Sequence, residues 1–431
     1  EHYGNIPRGH VPDHHGHEER ADPFRPALQE SGVLLLEGLH PAHARTESHA
    51  QAHIAGTLPL MLRKHLHTMK HILIGLLSFS FLNCFCQTND FDTLVTKFRE
   101  RLEYDDYKVN LPVIHKGEDF NIILSESSLE FKEKEIVFET PNQNNSYPLS
   151  FSVIFKENIV SLFEPGTFVC HKLSDFSRNE ELEKELNTKR FDYHWLINNN
   201  LCGLSNGKYW LFDSTSNWTK FEQKLPFEKK PKLFENKEYL AYCDCHGEWG
   251  GTVYFYNRAN ENTYFTEATC ANSIIETDKG YKVLSHLGHG MGSADLKLIA
   301  DPSKLSNLKD FDSKTKNINA LGYSDKSGHP KTVFDFYWVQ IFSSFNWNGQ
   351  TIYMVNWQDR TFLSEIRKKD IIIVDPLFNS DLYTHDPITT QYENGVILMN
   401  LDFYGLGRER EVSMIIIKDK EITKIDWNNK H

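Results

Sequence analysis

The stretch "YCDCHGEWGG", residues 242–251, brings two thiols, an imidazole and a carboxylate close together along the chain. Further on, "SHLGHGMGSAD" (285–295) adds His286 and His289. Thiolate, imidazole and carboxylate are the ligand types that zinc takes, so His246, Glu248, His286 and His289 make a candidate zinc set. In such a site the imidazoles would hold the metal, and Glu248 would act as ligand or base in a metal-dependent hydrolase or lyase. The spacing argues for less. His-x-x-His lies here on a glycine-rich turn, where no helix fixes its geometry, and Cys-x-Cys lacks a second pair. The plainer expectation makes the histidines turn residues and buries Cys243 in a strand, bonded to Cys270.

Other catalytic patterns fail on context. Gly288, Gly290 and Gly292 have neither the following helix nor the βαβ unit of a dinucleotide fingerprint. No G-x-S-x-G elbow and no P-loop occurs. In "THDP" (384–387) His385 and Asp386 are neighbours, and neighbours in extended chain point to opposite sides. What remains is recognition. Trp249, Trp347 and Tyr404 are expected either to stack on a sugar or a peptide or to pack between blades, with Arg408 as a further binding candidate.

Gathering such scattered residues requires a repeat, and the chain has one. "NGKYWLFDSTSNWTKFEQ" from Asn206, "GGTVYFYNRANENTYFTEA" from Gly250 and "NGQTIYMVNWQDRTFLSEI" from Asn348 follow one scheme. Each opens on a glycine turn, runs into an aromatic-rich strand, turns at polar residues and starts a second strand on an aromatic. Weaker copies start at Gly117, Gly166, Gly292 and Gly407, and with Gly251 the successive intervals are 49, 41, 44, 41, 57 and 58 residues. Four-stranded propeller blades recur at about 40–50 residues. The expected fold is all-β: a propeller of six or seven blades over 111–431, with a pair of β-sandwiches as the alternative. The pattern resembles the kelch-like class of propellers, although only Gly250-Gly251 supplies the double glycine of that class. In a regular propeller the turns before each glycine would share one face of the disc. That face would carry Glu164, Pro165, Cys202, Ser205, Cys245, His246, Glu248, Trp249, His286, His289, Asn346, Trp347, Tyr404, Arg408 and Arg410, and loops on a rigid scaffold commonly bind ligands.

Two segments read as helical. Phe91, Leu94, Val95, Phe98 and Leu102 fall on one face behind Asp90, within an N-terminal segment spanning 87–110, and 174–189 reads as a short surface helix.

The preceding residues differ in kind. Lys70 and His71 lead into an apolar run that turns polar at Gln87, the order of a secretory signal peptide over 69–86. The run is too short for a membrane span, which needs about 20 residues. Cys84-Phe85-Cys86 fits a small-x-small cleavage site, and lipidation at Cys84 or Cys86 is the alternative. Residues 1–68 hold 11 of the 21 histidines, with Lys64 as their one lysine. They are expected to be a disordered extension of the gene model, with a His-rich metal-binding tail as the rival reading.

Past residue 86 the chain has 40 Lys and Arg against 51 Asp and Glu. That balance excludes nucleic acid as the natural partner, since a phosphate backbone demands clustered basic charge. Five cysteines remain there, Cys170, Cys202, Cys243, Cys245 and Cys270, an odd number that allows at most two internal disulfides. These observations describe an exported module that binds a protein, peptide or glycan. A metal enzyme and a purely structural envelope protein are the other readings.

Overall fold

A computed structural model of the chain describes residues 91–100, 111–141, 148–213, 217–222, 225–226, 228–288, 292–310, 325–377, 382, 384–403 and 411–427. Its strands are joined repeatedly by two-residue turns with both central residues at positive φ. Examples are Asn198-Asn199 (48° and 57°), Asn206-Gly207 (50° and 69°) and Asn348-Gly349 (50° and 81°). Such turns match the right-handed twist of the strands that they join, so short apolar runs fold back on themselves as hairpins. Many strands are buried on both sides: all residues of Asn158–Phe163 and of Gly251–Asn257 are buried. A sheet covered on both faces needs neighbours on both sides.

The described residues build six antiparallel sheets in chain order. Blade 1 comprises Val153–Phe155, Asn158–Phe163 and Thr167–Lys172; blade 2 comprises Tyr193–Ile197, Asn200–Ser205, Lys208–Phe212 and Trp218–Phe221. Blade 3 runs through Lys232–Glu235, Tyr239–Cys245, Gly251–Asn257 and Thr263–Glu267, and blade 4 through Ala271–Thr277, Gly280–Leu287, Ser293–Ile299 and Lys331–Tyr337. Blade 5 contains Gln340–Trp347, Gln350–Trp357, Arg360–Arg367 and Asp370–Leu377; blade 6 contains Ile388–Gln391, Ile397–Phe403, Glu411–Lys418 and Glu421–Asp426. Within each blade the strands lie side by side in the order in which they occur.

Apolar clusters show how the sheets stack. Val160 and Phe168 of blade 1 pack with Leu196 and Phe212 of blade 2. Trp195 and Tyr209 of blade 2 meet Tyr254 and Phe265 of blade 3. Val253 and Phe255 of blade 3 meet Ile274 and Val283 of blade 4. Leu296 and Phe336 of blade 4 meet Ile341 and Phe362 of blade 5. Phe345 and Leu363 of blade 5 meet Met399 and Ile415 of blade 6, and Leu398 and Ile416 of blade 6 return to Ile159 and Phe163 of blade 1. Each blade is thus sandwiched between two others, and the ring closes. The fold is a six-bladed β-propeller, in agreement with the lower of the two expected blade counts.

The chain before blade 1 reinforces that closure. Lys132–Val137 adds a parallel fifth strand to blade 6. Asn121–Leu124 adds one to blade 5, and residues 91–100 form a helix whose Leu94 and Phe98 join the cluster between blades 4 and 5. Trp427, fully buried, sits edge-on to Phe138 and Phe163 where the last blade meets the first. The second helix, Glu180–Leu186, is shorter than the sequence suggested and less superficial. Asn179 caps it, and Leu182 and Leu186 turn into the cluster between blades 1 and 2.

Polar pairs stitch the inner strands near the axis. Asn400 of blade 6 accepts the Ser152 N–H (2.8 Å) and donates to the Ser152 carbonyl (3.1 Å) beside blade 1. Ser273 and Ser344 join blades 4 and 5 at 2.7 Å, and Ser343 and Thr389 join blades 5 and 6 at 2.8 Å. A buried hydrogen bond contributes about 1 kcal/mol net, so Ser344→Ala is expected to lower the free energy of urea unfolding by about that amount. A variant as stable as the parent would show that the stitch carries no stability.

One expectation about register changes. Gly166, Gly207, Gly250 and Gly292 lie in the turns between second and third strands of blades 1 to 4, as the repeat implied. Gly349 closes the turn between the first and second strands of blade 5, at the opposite end of the blade, and Gly117 lies in a hairpin outside the ring. Gly407 lies outside the described residues. The aromatic-strand scheme recurs in adjacent hairpins of a blade as well as between blades, which is why Asn348 was read one strand out of step.

Candidate functional site: the axial cavity

Below, the face carrying the turns between first and second strands is called proximal, and the face carrying the second-to-third turns is called distal. A cavity of about 680 Å³ opens on the proximal side of the axis. The first strand of every blade, or the chain leading into it, contributes to its wall: Val153, Leu196, Lys232, Ile274, Asn346 and Thr390 are one residue from each. Its volume falls in the range of small-molecule and peptide-anchor sites. Phe151, Val153, Leu196, Ile274 and Ile388 give the wall its apolar patches, and polar side chains stand at the rim.

The rim contains one strong charge network, spanning blades 2 and 3. Glu235 is bonded to Lys232 at 2.5 Å, to Arg258, and to the Asn198 N–H at 2.8 Å. Arg258 also donates to Asn198 Oδ1 at 2.6 Å. Burial alone would raise the Glu235 pKa; the Lys232 charge and its hydrogen bond, with the Asn198 N–H and Arg258, hold it below the usual carboxylate range. Glu235 is therefore an anchored carboxylate with its lone pairs in use, a poor candidate for general acid work. The Gln391 amide is used as well, clasping the Asn346 backbone through bonds of 2.9 and 2.8 Å. By contrast the side chains of Asn199, Asn346, Thr390, Lys237 and Glu393 have no hydrogen-bond or ionic partner among the described residues.

A second cavity, about 360 Å³, lies toward the distal side and shares Phe151, Ser152, Tyr193, Pro231 and Asn400 with the first. Lys230, Asp244, Cys245 and Asp386 are among its other lining residues.

The sequence-derived candidates divide between these places. Trp249 is 56% exposed, on the distal turn Gly247–Trp249 of blade 3. Trp347 ends the first strand of blade 5 on the proximal face, half-buried against Phe131 at 4.8 Å. The two therefore do not share a face, a correction that follows from the register of Gly349. Tyr404, Arg408 and Arg410 lie outside the described residues, as does His289. His246 sits 3.6 Å from Asp244, and Glu248 is exposed on the same turn with a partner of its own.

His286 belongs to another environment. It is 1% exposed, its Nε2–H donates to the Thr384 carbonyl at 3.1 Å, and its Nδ1 accepts from the Asn272 amide at 3.4 Å. Burial, partly offset by the Thr384 bond, lowers its pKa to about 4. Both ring nitrogens are committed to the protein, so this imidazole acts as a bridge between blades. Among the described residues, one group of three ligand-type side chains converges: Cys245, Cys270 and Asp386, within 4.8 Å of one another. Its two sulfurs are bonded to each other.

That disulfide differs from the expected Cys243–Cys270 pair. Cys245 pairs in register with Gly251, and the Cα of Gly251 packs so closely on Ala268 and Cys270 that no side chain fits there. The strand end carrying Cys245 is thereby level with Cys270. Cys243, two residues back, is a buried thiol that donates to the Ala271 carbonyl at 3.3 Å, and burial raises its pKa.

Sequence reasoning missed Asn198, Asn199, Lys232 and Glu235. The double asparagine at 198–199 was a legible turn signal, but nothing local says that a turn borders an axis. It also missed Tyr337 and Trp338, 55% and 60% exposed on the distal link between blades 4 and 5.

No protein-family model and no curated protein matches the chain. Among solved structures it is similar to the N-terminal domain of Nup159, at 9% identity over 68% of this chain and 84% of that one, with a TM-score of 0.29. It is also similar to the AfRom2 CNH domain, at 11% identity over 67% and 100%, with a TM-score of 0.28. The computationally designed Ika8 protein gives 10% identity over 67% and 88%, with a TM-score of 0.29. Likenesses this distant carry no argument here; the fold rests on the six sheets and the six shared clusters.

Proposed function

We propose that this chain is an exported binding module that takes a protein, peptide or glycan ligand into the proximal axial cavity. One observation carries the reading: all six blades converge on one cavity of about 680 Å³, with polar side chains at its rim that are unpaired among the described residues. A rigid ring with adaptable polar turns at one mouth is suited to recognition. Two observations support export. Residues 69–86 have the order of a signal peptide, and Cys245–Cys270 is a disulfide, which persists in oxidising compartments. No described helix is long and apolar enough to cross a membrane.

Asn346→Trp tests the site. The Asn346 side chain is exposed on the cavity wall, while its backbone holds the Gln391 clasp, so a large ring there fills the mouth without breaking that clasp. Glycan and peptide arrays probed with residues 87–431 should give hits that this variant loses at least tenfold, with its melting temperature unchanged. Hits that bind the variant as well as the parent would place the ligand elsewhere.

A further inference from the structure

Resting on that reading, we infer that the cavity accepts a peptide segment that inserts one large aliphatic or aromatic side chain, and that it does not accept a glycan. The argument is a count of which polar groups are still available and where they lie. The deep wall is apolar, formed by Phe151, Val153, Leu196, Ile274 and Ile388. Of the polar residues beside it, Ser152 and Asn400 are already committed, and Tyr193 adds a single hydroxyl. Asn400 uses both ends of its amide on the Ser152 backbone, and Ser152 Oγ is bonded to Ser161 Oγ at 2.6 Å.

A sugar ring carries hydroxyls around its whole edge. Inserted here, it would leave them without partners after removing them from water, which costs affinity for each one. An aliphatic or aromatic side chain has no such requirement and gains from every area it buries.

The available groups are at the rim and have the chemistry of the peptide bond. Asn199 and Asn346 each offer an amide donor and acceptor, and Thr390 offers a hydroxyl. These match the N–H and C=O groups of a backbone that flanks an inserted side chain. Lys237 adds a positive charge, and Glu393 and Glu276 add negative ones, so the rim carries both signs.

The test is selection from a random heptapeptide phage library on residues 87–431, alongside a glycan array. Enriched peptides should share one large aliphatic or aromatic residue. Replacing that residue with Ser should weaken binding at least tenfold. Asn346→Trp, and Thr390→Trp as a second blocker should the first fold poorly, should abolish it. Peptides enriched without a common apolar residue would overturn the inference, and so would a library that yields nothing. Glycan hits that both blockers abolish would also overturn it while leaving the cavity as the site. Binding that neither blocker affects would instead overturn the proposed site itself.

Discussion

Acidification from about pH 7 to about pH 5 should cost this fold roughly 6 kcal/mol of stability, through three histidines held neutral inside it. His171, His194 and His286 are each at most 7% exposed, and burial lowers the pKa of each to about 4. His194 accepts from the Ser150 hydroxyl through Nδ1 at 2.6 Å, while its Nε2–H donates to the Val160 carbonyl at 3.1 Å. His171 lies stacked on Phe138 with ring centroids 3.7 Å apart. Unfolded, a histidine titrates near 6.5, so between that value and about 4 the unfolded chain binds more protons than the folded one. Stability is therefore complete above about pH 6.5 and is lost as pH falls toward 4, by about 2 kcal/mol per histidine at pH 5. Asp295 and Asp375 act in the opposite direction, because burial raises their pKa. Urea unfolding at both pH values measures the slope, and His194→Gln should reduce it by about a third. Equal stability at the two pH values would mean that the imidazoles are not held as described.

Lys97→Met should cost about 3–5 kcal/mol, because it leaves a buried carboxylate without its partner. Asp375 is 0% exposed in the last strand of blade 5. Its Oδ1 receives Lys97 Nζ from the N-terminal helix, and its Oδ2 accepts the Phe131 N–H at 3.0 Å. Lys97 also lies 3.1 Å from Glu133, in the strand added to blade 6. One ammonium thus connects the helix, blade 5 and the ring-closing strand. The double variant Lys97→Met/Asp375→Asn should recover much of the loss, since it removes the stranded charge. A single variant that unfolds at the same urea concentration as the parent would show that the Lys97–Asp375 contact adds nothing to the ring.

The fold was legible because blade hairpins repeat a local pattern of turn residues followed by aromatic and β-branched strands. The aromatic-rich run "GTVYFYN" and the asparagine-glycine turns at 206–207 and 348–349 mark strands and turns correctly. Which turn of a blade each one forms is not local information. It depends on strand order, and that is how Trp347 came to be grouped with Trp249. The site was less legible for the same reason. Residues become neighbours at the axis only after the ring closes, so Val153, Ile274 and Ile388 read in sequence as ordinary strand residues. His286 misled in the other direction: its spacing from His289 resembled a ligand pair, while the folded chain uses it to bridge Asn272 and Thr384.

Hydrogen exchange of residues 87–431, with and without the strongest array hit, tests the central claim most directly. If the proximal axial cavity is the ligand site, protection should rise at 196–199, 232–237, 346 and 390–393, the segments that border it. Protection confined to the distal turns at 246–250 and 337–338, with those proximal segments unchanged, would contradict it.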